Sequence, residues 1–490
     1  MAQGKTQAVS KEYKTVIGLE VHVQLATKSK CFCGCSTEFG RKPNSQVCPV
    51  CLGFPGSLPV LNEEALRLAI KAALALNCQI SKFIKFDRKN YFYPDLPKNF
   101  QISQYDLPVS HDGWLMISGP GGEKKIRIKR AHLEEDAGKL IHEQGGSRSF
   151  VDFNRTGTPL LEIVSEPDIN SADEAYEYLT RLKGILEYLE VSDCNMEQGS
   201  LRCDANISVM PAGAKELGEK VELKNMNSFR FVKIALEYEA KRQIEALEGK
   251  EKVVQETRLW HEQKGITISM RSKEHAHDYR YFPEPDLVPF VLDDGYIQKI
   301  GESLPELSQE KKERFVEEYN IPEYDAGVLT ADKYLANYFE ECAKLYSKPK
   351  TISNWIMSEL LAYIREKNLE VRYLKLKPRS FVEIFRLMDE GVISGKVAKQ
   401  ILPEMLESEK QARDIVKEKG LVQISDTSEI DKMAQEVIRD NPKPAADYRA
   451  GQANALSFLV GQIMKKSRGK ANPQIVNKLL KQKLERGEDA

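Results

Sequence analysis

Along residues 16–25 apolar and polar positions alternate: Ile17, Leu19, Val21, Val23 and Leu25 fall on one side, and Gly18, Glu20, His22 and Gln24 on the other. A period of two predicts a strand with one buried face, because successive side chains of an extended chain point in opposite directions. The same period recurs at 201–209, where Leu201, Cys203, Ala205, Ile207 and Val209 oppose Arg202, Asp204, Asn206 and Ser208. It appears again at 221–225, where Val221 and Leu223 oppose Glu222 and Lys224. Helical spacing takes over in two places. Asn62 precedes Leu66, Ala69, Ile70, Ala73 and Leu74, with Glu63 and Glu64 suited to the positive amino end. Ser171 and Glu174 form a predicted capping box ahead of Ala175, Tyr178, Leu179, Leu182, Ile185, Leu186 and Leu189. Both helices are expected to cover sheet faces.

The texture changes along the chain. Up to about residue 289, Gly, Pro and short alternating segments dominate, which marks an α+β region. Beyond Pro283, Pro285 and Pro289 come long, charged, amphipathic patterns from Leu307 through Met405, and Ile352, Trp355, Ile356, Leu360 and Ile364 form an apolar stripe suited to a core. A second break at 420–425 sets off a small tail unit, in which 441–444 reads as a loop. The expected fold is therefore α+β: a cradle domain containing an antiparallel sheet (residues 1–295), an all-α domain (296–410) and an α-helical tail domain (411–490).

Composition narrows the class. At 490 residues, with 41% hydrophobic and 30% charged positions, the chain reads as a soluble protein of roughly three domains. No apolar run approaches the ~20 residues of a membrane span, and residues 1–14 show neither a secretory nor a transit pattern, so a cytoplasmic location without membrane contact is expected. Lys and Arg number 72 against 73 Asp and Glu, a formal net charge of -1, so no global field advertises nucleic acid. Any RNA contact must be local. Lys465, Lys466, Arg468 and Lys470 follow the apolar 458–464 segment, and Lys478, Lys481, Lys483 and Arg486 continue the basic character. Such a cluster suits RNA phosphates, and it equally suits a solvated helix face.

Three features carry chemistry. Alternation puts Glu20 and His22 on one face, about 7 Å apart, where they could share a cation or simply meet solvent. The 201–209 and 221–225 segments each set an acid beside a base, Asp204 with Arg202 and Glu222 with Lys224, the mixture that a metal-bound phosphate needs. The turn-like stretch 132–138 adds Glu134, Glu135 and Asp136, which would repel one another unless solvated or bound to a cation. Separately, Cys33-x-Cys35 and Cys48-x-x-Cys51 supply two close thiolate pairs, the ligand set of a structural Zn²⁺ site. The remaining Cys78, Cys194, Cys203 and Cys342 read as small buried hydrophobes.

The runs at 16–25, 85–98, 101–105, 133–139, 157–168, 199–208, 278–286 and 458–464 together resemble the B subunit of the tRNA-dependent amidotransferases, the GatB family, over nearly the whole chain. That resemblance implies a two-step reaction on glutamyl-tRNA(Gln), and on aspartyl-tRNA(Asn) as well. ATP phosphorylates the side-chain carboxylate, and ammonia then displaces phosphate. It implies a heterotrimer in which a separate amidase (A) subunit makes the ammonia and a small C subunit holds the two together. Neither a Gly-rich Ser-Ser-Lys signature nor a glutaminase Cys triad is visible in the sequence. By the resemblance the Mg²⁺ ligands are Glu20, His22, Glu135, Asp204 and Glu222, with Glu134 a neighbour. Arg88, Lys89, Arg202 and Lys224 are candidates for phosphate contacts, and the tail carries tRNA recognition. Cys31 falls where the family usually has an apolar residue; the zinc is expected to be structural, because four protein ligands leave no open position for substrate, and since some members lack these cysteines it is not expected to be essential to the chemistry.

Overall fold

A computed structural model describes residues 13–119, 121–143, 148–272, 279–408, 410–423, 427–467 and 471–486. The chain divides into two compact units, Met1–Leu307 and Ser308–Ala490.

The first unit is built on a nine-stranded sheet. In chain order its strands are β1 (Tyr13–Gln24), β2 (Gln79–Ile80), β3 (Ser110–Gly119), β4 (Gly122–Glu135), β5 (Pro159–Ser165), β6 (Leu201–Pro211), β7 (Val221–Lys224), β8 (Glu256–His261) and β9 (Ile266–Ser272). Their spatial order is β9-β8-β7-β6-β1-β5-β4-β3-β2. Neighbours are antiparallel except β7 and β8, which are parallel and joined by a helical crossover. β1 lies at the centre, and its alternating apolar side, Ile17, Leu19, Val21 and Val23, is fully buried. Three helices share that buried cluster: α1 (Glu63–Ala75), α2 (Ala172–Tyr188) and α3 (Phe229–Glu248). The polar side of the sheet is left for the site.

Local signals explain where the helices start. The Asn62 side chain accepts hydrogen bonds from the Glu64 and Ala65 amides at 3.0 and 3.3 Å. Ser171 Oγ accepts from the Glu174 amide at 3.1 Å. The reciprocal half of the predicted capping box goes one residue further back, because the Glu174 carboxylate accepts from the Asn170 amide at 2.8 Å and from Lys124. Two other expectations are corrected. Residues 132–135 are not a turn but the end of the 14-residue strand β4, held in register by β5 and by the burial of Leu133. Residues 441–444 are not a loop: Pro442 opens a helix, Pro442–Arg449, since a proline in the first helical turn gives up no hydrogen bond that the helix needs.

The second unit is helical throughout its described residues and holds two separate buried clusters. One runs from Phe315 to Val416 and contains Ile352, Ile356, Leu360 and Ile364, with Trp355 packed against it. The other runs from Ile430 to Leu484. No helix of the described residues is long and apolar enough to cross a membrane.

Candidate functional site

The register of the central strands gathers polar residues that are far apart in sequence. Glu20 of β1 lies opposite Asp204 of β6, and His22 lies between Arg202 of β6 and Glu162 of β5. Glu162 in turn faces His132 of β4, and Leu160 faces Glu134. His22 Nε2 approaches Glu162 at 3.3 Å and Glu134 at 3.9 Å, while His132 Nε2 lies 3.3 Å from Glu162 and 3.6 Å from Glu134. Ligand atoms of His22, Glu134 and Glu162 all lie within 4.8 Å of one another, which fits a hard cation with nitrogen and oxygen donors. Glu134 also accepts a hydrogen bond from Ser103 at 3.0 Å.

Electrostatics tie this cluster together. Burial works against the charged form of both histidines, yet the two carboxylates outweigh it: His132 is pushed up to about 9, and His22 is raised as well. Burial likewise disfavours charge on Glu162 and Glu134, yet His132 and His22 hold Glu162 well below the usual carboxylate range, and His132 with Lys89 holds Glu134 below it. His132 Nδ1 is buried with no hydrogen-bond partner among the described residues.

A second group sits beside the first. Lys224 donates to Asp204 at 2.5 Å and lies 3.1 Å from Glu222, whose other oxygen accepts from Thr257 at 2.8 Å. Asn206 donates to Glu20 at 2.8 Å. Arg202 reaches across to Asp136 at 2.9 Å, and Asp136 also accepts from Gln24 at 2.8 Å. Arg202 and Asp204 open onto a cavity of about 690 Å³ that is also lined by Gln24, Arg155 and Asn225.

The expected residues thus share a face without forming one cluster. Glu135 is the exception, and here the structure corrects the sequence reading: it lies opposite Pro159, on the other side of β4 from Glu134. There its carboxylate pairs with Lys98 and accepts from the Ile102 amide at 2.9 Å. Alternation along a strand forbids Glu134 and Glu135 from facing the same way, and Glu134 is the one that meets His22. Among the phosphate candidates, Arg88 is committed to Glu284 through two bonds of 2.7 Å and lies over the Phe100 ring. Lys89, one residue on, points toward the cluster: the charges of Glu134 and Glu162 raise its amine against the effect of burial, and its Nζ lies 5.0 Å from the Tyr279 ring. Glu162 and His132 were not among the residues predicted for the site. The available signal was an acid inside the apolar run Leu160, Leu161, Ile163, Val164, where a charge is out of place unless it has a task.

The four cysteines converge. Sγ atoms of Cys33, Cys35, Cys48 and Cys51 lie within 4.8 Å of one another, with Cys48 and Cys51 3.9 Å apart. Four sulfurs around a zinc at Zn–S distances near 2.3 Å would be about 3.8 Å apart, so the donor set and spacing fit that ion. Cys51 is pulled down to about 4, first by its hydrogen bond with Cys33, against burial, with the Cys48 amide and the Lys30 ammonium helping. Cys31, Cys78, Cys194, Cys203 and Cys342 are buried singly. In the tail, Lys466 pairs with Glu436, and Arg468 and Lys470 lie outside the described residues.

The first unit is thus an α+β domain with acids, imidazoles and cations on one polar face of a mostly antiparallel sheet, and sequence comparison specifies its class. Residues 15–298 match the family model described as the GatB/GatE catalytic domain, and residues 337–484 match the GatB domain. The chain is 56% identical over 473 residues to the B subunit of the aspartyl/glutamyl-tRNA(Asn/Gln) amidotransferase of Caldanaerobacter subterraneus, covering 96% of this chain and 99% of that protein. It is 56% identical to the corresponding protein of Caldicellulosiruptor bescii over 97% of this chain and 100% of that one, and 57% identical to that of Thermodesulfovibrio yellowstonii over 96% and 98%. The chain belongs to the family of tRNA-dependent amidotransferase B subunits.

Proposed function

We propose that this chain converts glutamyl-tRNA(Gln), and also aspartyl-tRNA(Asn), to the corresponding amides in two steps. The side-chain carboxylate of the misacylated amino acid takes the γ-phosphoryl group of ATP, releasing ADP. Ammonia then adds at the acyl phosphate, and inorganic phosphate leaves. The observation that carries this reading is the buried His22–Glu134–Glu162 cluster, flanked on the same face by Arg202 and Lys224 and approached by Lys89.

His22, Glu134 and Glu162 are the residues that would hold Mg²⁺, with Glu20, Asp204 and Glu222 alongside. The ion's part, when bound, is to neutralise charge on the phosphoryl oxygens. The chain's own cations complete the arrangement. Lys224 and Arg202 already balance Asp204, Glu222 and Asp136, so an entering phosphate meets cations held in place by existing ion pairs. The cavity beside Arg202 is large enough for a nucleotide or a tRNA 3′ end. Zinc on the four cysteines is structural, because four protein ligands leave no open position for substrate. The reading assigns phosphorylation and amidation to residues 1–295, a helical domain to 296–410 and tRNA contact to the tail, 411–490. An amidase partner and a small third partner supply and hold the ammonia source, and the assembly is cytoplasmic.

The test is ADP formation by the full chain with its amidase and small partner proteins, Mg²⁺ and misacylated tRNA. The reading expects ADP production to require both the misacylated tRNA and Mg²⁺. ADP production indifferent to either would contradict it.

A further inference from the structure

Lys30 is wholly buried, 0% exposed, which is rare for a lysine because taking an ammonium out of water costs several kcal/mol unless opposite charge or hydrogen bonds compensate. Its Nζ donates to the Gln46 carbonyl at 2.7 Å and to the Phe153 carbonyl at 3.4 Å, and lies 3.6 Å from Cys51 Sγ. No Asp or Glu pairs with it among the described residues, so the only group in contact that can carry a full negative charge is the Cys51 thiolate. The backbone runs close beside this contact. Gly157, whose φ of +84° favours glycine, sits where a Cβ would lie in ordinary van der Waals contact with Lys30 and Cys51, at 3.4 and 3.5 Å. The Lys30 amide donates to the Cys35 carbonyl at 2.9 Å, and the Cys31 amide donates to the Gly157 carbonyl at 2.7 Å.

A divalent ion on four thiolates leaves a net charge of about −2. Placed in a partly buried pocket, that charge needs a cation nearby, and an ammonium donating to one sulfur supplies it. We propose that Lys30 is the charge partner of the four-cysteine site, holding Cys51 as a ligand and fastening the metal loop to the 152–158 turn. This rests on the reading of the cysteines as a metal centre. The fastening has a direction. The turn's Thr158 carbonyl accepts the Asp136 amide at 2.8 Å, and Asp136 anchors Arg202 and Gln24 on the polar face. Metal occupancy and the placement of Asp136 are therefore linked through Lys30, which acts as a positioning residue and touches no substrate.

The test is a double-mutant cycle in the full chain with Lys30→Met, Cys51→Ser and both together, reading zinc release to a chelator and the thermal unfolding midpoint. Lys30→Met is expected to release zinc about tenfold faster than the unmutated chain. Cys51→Ser strands a buried ammonium, so adding Lys30→Met to it is expected to raise the unfolding midpoint, a reversal of sign between the two backgrounds. Equal effects of Lys30→Met in both backgrounds, or unchanged zinc release, would overturn the proposal. If Lys30→Met alone does not fold, a folded double variant supports the pairing, and an unfolded double beside a folded Cys51→Ser overturns it. Cobalt added to the unmutated chain separates the two claims. Thiolate-to-cobalt charge-transfer bands establish the metal centre on which Lys30 is tested, and their absence removes the centre and the role of Lys30 together.

Discussion

A carboxylate set among Leu160, Leu161, Ile163 and Val164 would be costly without compensation, and Glu162 has two imidazoles to provide it. That makes Glu162 a sharper probe than the more exposed acids. Glu162→Gln keeps the shape and removes the charge, and we expect it to reduce Mg²⁺-dependent ADP formation by at least about a hundredfold, measured as steady-state rate at saturating Mg²⁺. The expected change in unfolding midpoint is small by comparison, because the histidines lose the partner that favours their protonation and can revert to neutral. At this scale the sequence was informative about Glu20, His22, Asp204 and Glu222, since a period of two sorts side chains onto faces from the local pattern alone. Periodicity could not assign Glu162, whose strand is largely buried on both sides and so shows no alternation; the signal there was the lone acid in an apolar run. Periodicity also left Glu134 and Glu135 open, and only the resemblance named Glu135, because the choice depends on where β4 ends, and a run of acids looks like a turn until its pairing with β5 is known.

Elements explain why the face is rigid. β1 pairs with β6 from Tyr13 to Val23 and with β5 from Glu20 to Gln24, so it is held on both sides where the site lies. Because β5 and β6 enter from distant parts of the chain, the site is assembled by register between segments that sequence spacing does not relate. Helix starts, by contrast, are local and were readable: Asn62 and Ser171 cap where expected. Asn62 does more than cap, because its amide also donates to the Ser29 and Lys30 carbonyls at 3.0 and 3.2 Å, joining α1 to the cysteine loop. Asn62→Ala is expected to cost about 1–2 kcal/mol, read from chemical denaturation of the first transition. Tight backbone approach gives another check. A Cβ on Gly113 of β3 would fall 2.2 Å from Cys78 Sγ and 2.8 Å from the Leu76 carbonyl, so Gly113→Ala is expected to destabilise the same unit by about 1–3 kcal/mol.

For the whole molecule, the separation of the sheet unit from the helical unit predicts that chemistry and tRNA affinity respond to different changes. A charge reversal in the tail, Lys465→Glu, is expected to weaken tRNA binding across sequences and to lower the slope of log affinity against log salt by about one. The rate of ADP formation at saturating misacylated tRNA should stay near that of the unmutated enzyme, and filter binding over a salt series beside steady-state kinetics measures both. The change from alternating to amphipathic texture near residue 300 made the passage from sheet to helices legible. Within the second unit, Ala412, Ile415 and Val416, placed in the tail by the sequence reading, pack with the preceding cluster, and the next cluster begins at Ile430.

The central claim is that the catalytic face of β4 is the one bearing Glu134, where it meets His22 and Glu162. Its most direct test compares Glu134→Gln with Glu135→Gln in the assembled enzyme, measuring Mg²⁺-dependent ADP formation on misacylated tRNA. The expected result is a loss of at least about a hundredfold for Glu134→Gln and less than about tenfold for Glu135→Gln. The reverse order, with Glu135→Gln the more damaging to ADP formation, would contradict it.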